Sequence, residues 1–150
     1  MAALTRATIA DLLTRHDLHP RRSLGQHFVA DPNTVRRIAR LARVGPGDHV
    51  VEIGAGLGSL TLALAETGAA VTAVETDRRL VGVLRPIVEP EGVRVVEADA
   101  RSLAWGDVLG GAPVWALVAN LPYNLATSLV IDLLEGVAAI TRMLVMVQHE

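Results

Sequence analysis

Val50-Val51-Glu52-Ile53-Gly54-Ala55-Gly56-Leu57-Gly58 is the stretch from which the rest of this chain can be read. A short apolar run stops at three glycines spaced two apart, and a helix-like segment, 59–66, follows. That order predicts strand, tight loop, helix. Glycine lets such a loop take positive φ, where a Cβ costs roughly 1–2 kcal/mol per residue. It also exposes bare backbone to a ligand, next to the unpaired N–H groups of a helix start. Dinucleotide loops read G-x-G-x-x-G; here Ser59 stands where that third glycine would be, and Gly58 comes one place earlier. G-x-G-x-G after an acidic residue suits a ligand without a pyrophosphate. The alternative is a tight turn in some other α/β domain.

Downstream of this loop the chain alternates. Strands are expected at 49–53, 71–75, 93–98, 114–119 and 142–148, and helices at 59–66, 77–85 and 124–135. Continuous valine-rich strands between helices predict an α/β domain with a mostly parallel sheet covered on both faces. Right-handed crossovers bring the strand ends to one edge, where open α/β sheets bind ligands. Upstream, Ile9, Leu12 and Leu13 mark a short amphipathic helix within 4–15, ended by Pro20 and Arg21-Arg22. Asp31-Pro32 reads as an N-cap with proline in the first helical position, and Val35, Ile38, Leu41 and Ala42 form one face of a second helix ending near Arg43. The expected organisation is one domain over 1–150, with a helical, basic segment at 1–48 and the sheet at 49–150. The sequence stops on the fifth strand, which suggests the front part of a longer protein, since a long open edge is a liability.

Composition narrows the function. There is no cysteine, so disulfides, thiolate chemistry and cysteine zinc sites are excluded. No segment has the length and apolarity of a membrane span, and the first thirty residues lack a signal-type run, so a cytoplasmic location is expected. The net charge of −2 hides an asymmetry. Residues 1–43 carry eight arginines against three acids, and the remainder six arginines against thirteen acids. A basic leading portion on an acidic body suits a phosphate-rich partner; a solvated arginine-rich helix face is the plainer alternative.

Four groups of residues carry candidate chemistry. The glycine loop resembles the first motif of S-adenosylmethionine (SAM) dependent methyltransferases. Glu75 ends the second strand, twenty-one residues after Gly54, close to where such folds place an acid for ribose hydroxyls. Asp99 ends the third strand, where its carboxylate can accept from an adenine amine and the Ala100 N–H can donate to the adjacent ring nitrogen; a helix N-cap is the other reading. Asn120-Leu121-Pro122-Tyr123 follows the fourth strand. The Asn120 side-chain oxygen and a backbone carbonyl near Leu121 can both accept from an NH₂ group, and Tyr123, the only tyrosine, offers a stacking face for a ring. A strand-ending turn with a rim tyrosine would look the same. Trp115 reads as core. His27 belongs to no metal-like cluster and no nucleophile arrangement, so neither a metal nor a hydrolytic triad is expected.

Taken together, Ser23-Leu24-Gly25-Gln26-His27-Phe28, Val51–Gly58 and Asn120-Leu121-Pro122-Tyr123-Asn124 resemble the KsgA-type ribosomal RNA adenine dimethyltransferases, as does the closing Met146-Val147-Gln148-His149-Glu150, with histidine where that family has lysine. The resemblance runs from Arg21 to the end. It implies a Rossmann-like SAM-dependent methyltransferase fold truncated after the fifth of seven strands, with a small helical domain missing. It implies transfer of methyl groups from SAM to N6 of two adjacent adenines in a hairpin near the 3′ end of small-subunit rRNA, on a 30S pre-ribosomal particle, by a monomer. His27, Val29, Gly54, Gly56, Glu75, Asp99 and Asn120 would bind the cofactor, and Asn120, Leu121, Pro122 and Tyr123 would form the catalytic block. The competing readings are an Erm-type enzyme acting on a large-subunit adenine, a non-catalytic RNA-binding assembly factor, and a small-molecule methyltransferase. Gly25-Gln26-His27-Phe28 and Asn124 favour the first reading over the Erm type.

Overall fold

The computed structural model describes residues 4–18 and 31–148. Five strands form one sheet: β1 (His49–Ile53), β2 (Ala70–Glu75), β3 (Arg94–Glu97), β4 (Trp115–Pro122) and β5 (Ile140–Gln148). Their spatial order is β3-β2-β1-β4-β5, and every neighbouring pair is parallel. The helices are α1 (Arg6–Arg15), α2 (Pro32–Leu41), α3 (Ser59–Glu66), α4 (Arg78–Val88), α5 (Trp105–Leu109) and α6 (Tyr123–Gly136).

Strand alternation assigns side chains to two cores. Val50, Val71, Ala73, Ala116 and Val118 point to the face covered by α2, α3 and α4, with Leu4, Ile9 and Leu18 of the leading segment in the same cluster. Val51, Ile53, Val74, Leu117 and Ala119 point to the other, against α5 and α6. Both faces are dry, so the central strands carry almost unbroken apolar runs. From β1 the chain winds outward through β2 to β3, then returns past β1 to β4 and β5. The reversal puts a topological switch between β1 and β4, where the connections leave in opposite directions and open a crevice at the strand ends.

Local capping signals account for the starts of α2 and α4. The Asp31 carboxylate accepts from the Asn33 N–H at 3.0 Å, with Pro32 in the first turn, and Asp77 caps α4 through the Arg79 N–H at 2.9 Å. Four expectations are corrected. Leu41 was expected on the buried face of α2 but is 59% exposed, because the buried arc runs through Val35, Ile38, Ala39 and Ala42 and leaves position 41 outside it. The fourth strand does not stop at Ala119: β4 runs on to Pro122, because β5 pairs with it through Asn120, Leu121 and Pro122. Proline is tolerated there since the donor it lacks falls at the strand's last position. Helix α4 passes through Pro86 instead of ending before it; Pro86 lies in the last turn, so only the bond to the Gly82 carbonyl is forfeited. Helix α5 was not expected, because its five residues are too few to show a period.

Candidate active site

The loop after β1 has the conformation its glycines allow. Gly54, Gly56 and Gly58 have φ of +79°, +60° and +97°. They do different work. A Cβ on Gly58 would lie 2.8 Å from Val88 Cγ1 and 3.0 Å from Leu84 Cδ1, so this glycine lets the loop pack against α4. A Cβ on Gly54 would lie 3.8 Å from the backbone oxygen of Asn120, an ordinary contact, so here it is the positive φ that calls for glycine, in a loop that runs beside Asn120.

The register aligns the site. Ile53 pairs with Val74 on one side and Ala119 on the other. The next residues along, Glu75, Gly54 and Asn120, therefore lie abreast at the carboxyl edge of the sheet. Glu75 and Asn120 both alternate toward the α2–α4 face and flank the glycine loop. Asp99 leaves β3 at the same edge, where the Ala98 N–H still bonds the Glu75 carbonyl at 3.1 Å. Tyr123 opens α6 with 70% of its surface exposed. Leu121 is buried, and Asn120 and Pro122 are half-buried. Glu75, Asp99, Gly54, Gly56 and Asn120–Tyr123, drawn from four strand ends, thus meet on one edge. His27 and Val29 lie outside the described residues.

Glu75 is not a simple surface acid. It is 4% exposed, and its two oxygens accept from the Gly56 N–H and the Asp77 N–H, each at 2.8 Å. It ties the glycine loop to the start of α4 while each oxygen keeps a further lone pair. Burial raises its pKa, the Asp77 and Gly56 N–H groups oppose the rise, and the charge on Asp77 adds to it. Asp99 is engaged as well. Its carboxylate takes the Arg101 guanidinium at 2.7 and 3.1 Å and the Arg101 N–H at 2.9 Å, and these hold its pKa below the usual carboxylate range. It closes a turn and does not cap a helix, so a ligand amine reaching Asp99 must share it with Arg101.

Two features of this edge escaped sequence reasoning. Glu52, in the middle of β1, is 2% exposed and accepts a short hydrogen bond from the Thr61 hydroxyl of α3. Burial pushes its carboxyl up to about 7, with the Thr61 bond opposing and the charge on Glu75 adding. The available signal was an acid inside an otherwise apolar strand, since acids are rarely buried without a partner. Arg101 beside Asp99 carried no comparable signal.

This arrangement fits a nucleoside-bearing ligand with a cationic, amino-acid-like tail. The glycine loop offers a side-chain-free cradle, Glu75 and Asp99 are acceptors one strand apart, and Asn120 sits across the loop. The family model described as ribosomal RNA adenine dimethylase matches residues 18–150. The chain belongs to that family. A ribosomal RNA small subunit methyltransferase A from Corynebacterium jeikeium (strain K411) is 50% identical over 149 residues, covering 95% of this chain and 47% of the relative. The chain spans about half the length of the curated relatives it matches. Among solved structures, the 23S rRNA methyltransferase ErmE shares 32% identity with a TM-score of 0.67, covering 79% of this chain and 48% of that one. A dimethyladenosine transferase from Plasmodium falciparum shares 25% with a TM-score of 0.68, covering 81% and 43%. The family expected from the three sequence blocks is thereby borne out, and so is the Rossmann-like fold, with a sheet that is wholly parallel.

Proposed function

We propose that residues 1–150 form the SAM-binding part of an rRNA adenine-N6 dimethyltransferase acting on small-subunit rRNA in a 30S precursor, as a cytoplasmic monomer. The observation that carries this reading is the placement of Asn120 across the Gly54 loop from Glu75, at the sheet's switch point. The small-subunit assignment is supported by relatives named small subunit methyltransferase A at up to 50% identity, against 32% for ErmE.

Bound SAM supplies a sulfonium methyl that is already a strong electrophile. The protein's own task is therefore positioning. Gly54 and Gly56 present backbone to the methionine portion, Glu75 accepts from the ribose hydroxyls, and Asp99 accepts from the cofactor's adenine amine with the Ala100 N–H beside it. His27 and Val29 are assigned to the same pocket by resemblance. On the substrate side, the Asn120 side-chain oxygen and a carbonyl near Leu121 accept from the target amine and aim its lone pair at the methyl. Pro122 fixes the backbone, and the exposed Tyr123 ring stacks on the base. Base–aromatic stacking contributes roughly 1–3 kcal/mol, comparable to the cost of unstacking one base. No strong general base is required, because the alkylated amine loses its proton readily to solvent.

The test uses this chain and a chimera in which it replaces the matching half of the Corynebacterium jeikeium relative. SAM titration of the chain should show binding. The chimera should transfer labelled methyl to purified small subunits and leave large subunits unlabelled. Labelling of large subunits alone would favour the Erm-type reading, and SAM binding without transfer in the chimera would favour the assembly-factor reading.

A further inference from the structure

Helix α2 carries Arg36, Arg37 and Arg40, with Arg43 just past its end, and all four are exposed. At 100° per residue, Arg36, Arg40 and Arg37 fall within an arc of roughly 100°. Val35, Ile38, Ala39 and Ala42 occupy the opposite arc and are buried in the core. Burial of the apolar face thus fixes the arginines outward. A fifth joins from 99 positions later in the chain: exposed Arg142 of β5 donates to the Arg43 carbonyl at 3.2 Å. The carbonyl end of α2 explains how this cation is held beside the helix's own arginines.

Among the described residues, most of the charge on this face is uncompensated. Arg36 reaches Glu66 at 3.7 Å, with both side chains well exposed. Arg37, Arg40, Arg43 and Arg142 have no ion-pair partner among the described residues. On α1, by contrast, Arg15 is paired with Asp11. Among the described residues, α1 thus pairs one of its two arginines, while α2 leaves three of its arginines, counting Arg43 at its end, without an ion pair.

We propose that the Arg37–Arg40–Arg43 face of α2, extended by Arg142 of β5, docks the phosphate backbone of structured RNA. This rests on the RNA-directed reading above and names the surface that reading requires. Guanidinium groups present paired N–H donors that match phosphate oxygens, and an exposed row of them follows a backbone without reading bases. Asn33, in the same arc, adds a neutral donor and acceptor. The sequence of the RNA is left to the site at the strand ends.

The experiment titrates a fluorescein-labelled RNA hairpin with two adjacent loop adenines into the chain across a potassium chloride series. Arg37→Gln/Arg40→Gln should lower the slope of log affinity against log salt by about 1.4–1.8, as expected for two lost phosphate contacts, and weaken binding on the order of tenfold near ~0.1 M salt. Arg142→Gln should lower the slope by about 0.7–0.9 and Arg142→Lys should restore it. Arg15→Gln should leave it unchanged, and SAM affinity should be the same in all variants. An unchanged slope in the double variant, an equal fall in Arg15→Gln, or capture of phosphatidylglycerol vesicles in place of the hairpin would overturn the proposal. Loss of SAM binding in the unsubstituted chain with the slopes as expected would refute the methyltransferase reading and leave the surface standing. SAM binding with unchanged slopes would do the opposite.

Discussion

Glu52→Gln separates two roles of the buried carboxyl beneath the glycine loop. The free carboxyl titrates at 4.5 and the folded one at about 7. Since a factor of ten in proton affinity is about 1.4 kcal/mol, the fold disfavours ionised Glu52 by about 3 kcal/mol. Below the unfolded value both states hold the proton and there is no penalty. Between 4.5 and about 7 the unfolded chain releases the proton while the folded one keeps it, so stability falls as pH rises. Above about 7 both are ionised and the full penalty applies. Glutamine keeps an oxygen for the Thr61 hydroxyl and cannot ionise. It also buries an NH₂ group, which adds a destabilising offset of about 1–3 kcal/mol at every pH. The test is urea unfolding of both proteins at about pH 5 and about pH 8. The Gln variant should gain about 2.5 kcal/mol on the original chain between those two pH values, whatever its offset, since a small part of the penalty is already present at about pH 5. Glu75, whose pKa is also raised, pulls the original chain in the same direction and is partly relieved in the variant through their mutual repulsion. A gap between the two proteins that stays constant across the window would refute the claim that Glu52 is ionised at a cost under the loop.

Further predictions follow from the same geometry. Gly58→Ala meets Val88 and Leu84 at φ +97°, whereas Gly92→Ala at φ +83° meets nothing within 4 Å; the first should be less stable than the second by the overpacking term, about 1–3 kcal/mol, in urea unfolding. Asn120→Ala in the chimera should cut methyl transfer far more than SAM affinity. Glu75→Ala should do the reverse and also lower stability, since it strips the acceptors from the Gly56 and Asp77 N–H groups. Arg101→Ala frees the Asp99 carboxylate and should tighten SAM binding a few-fold by titration, in line with an exposed ion pair of about 0–1 kcal/mol; weaker binding would mean that Arg101 holds the ligand instead of competing with it.

How far the chain could be read in advance depended on the range of the interactions involved. The glycine loop, the N-caps at Asp31 and Asp77, and the alternation of strand and helix are decided by residues a few positions apart, and local sequence displays them directly. The acids at the strand ends were legible because a parallel sheet sends successive strand ends to one edge. The extent of β4 was not, since pairing with β5 decides whether Asn120–Pro122 is strand or turn. Nor was the occupation of Asp99 by Arg101, which depends on a side-chain conformation.

The sequence by itself determined the alternation of strands with the longer helices, most of the buried face of α2 and the family, because period and turn chemistry are short-range and the three motif blocks are specific in combination. Only the tertiary structure decided that Glu75 ties the loop, that Glu52 is buried against Thr61, and that Arg142 stands with the arginines of α2. Each of these depends on desolvation or on contact between residues that the sheet and its packed helices bring together.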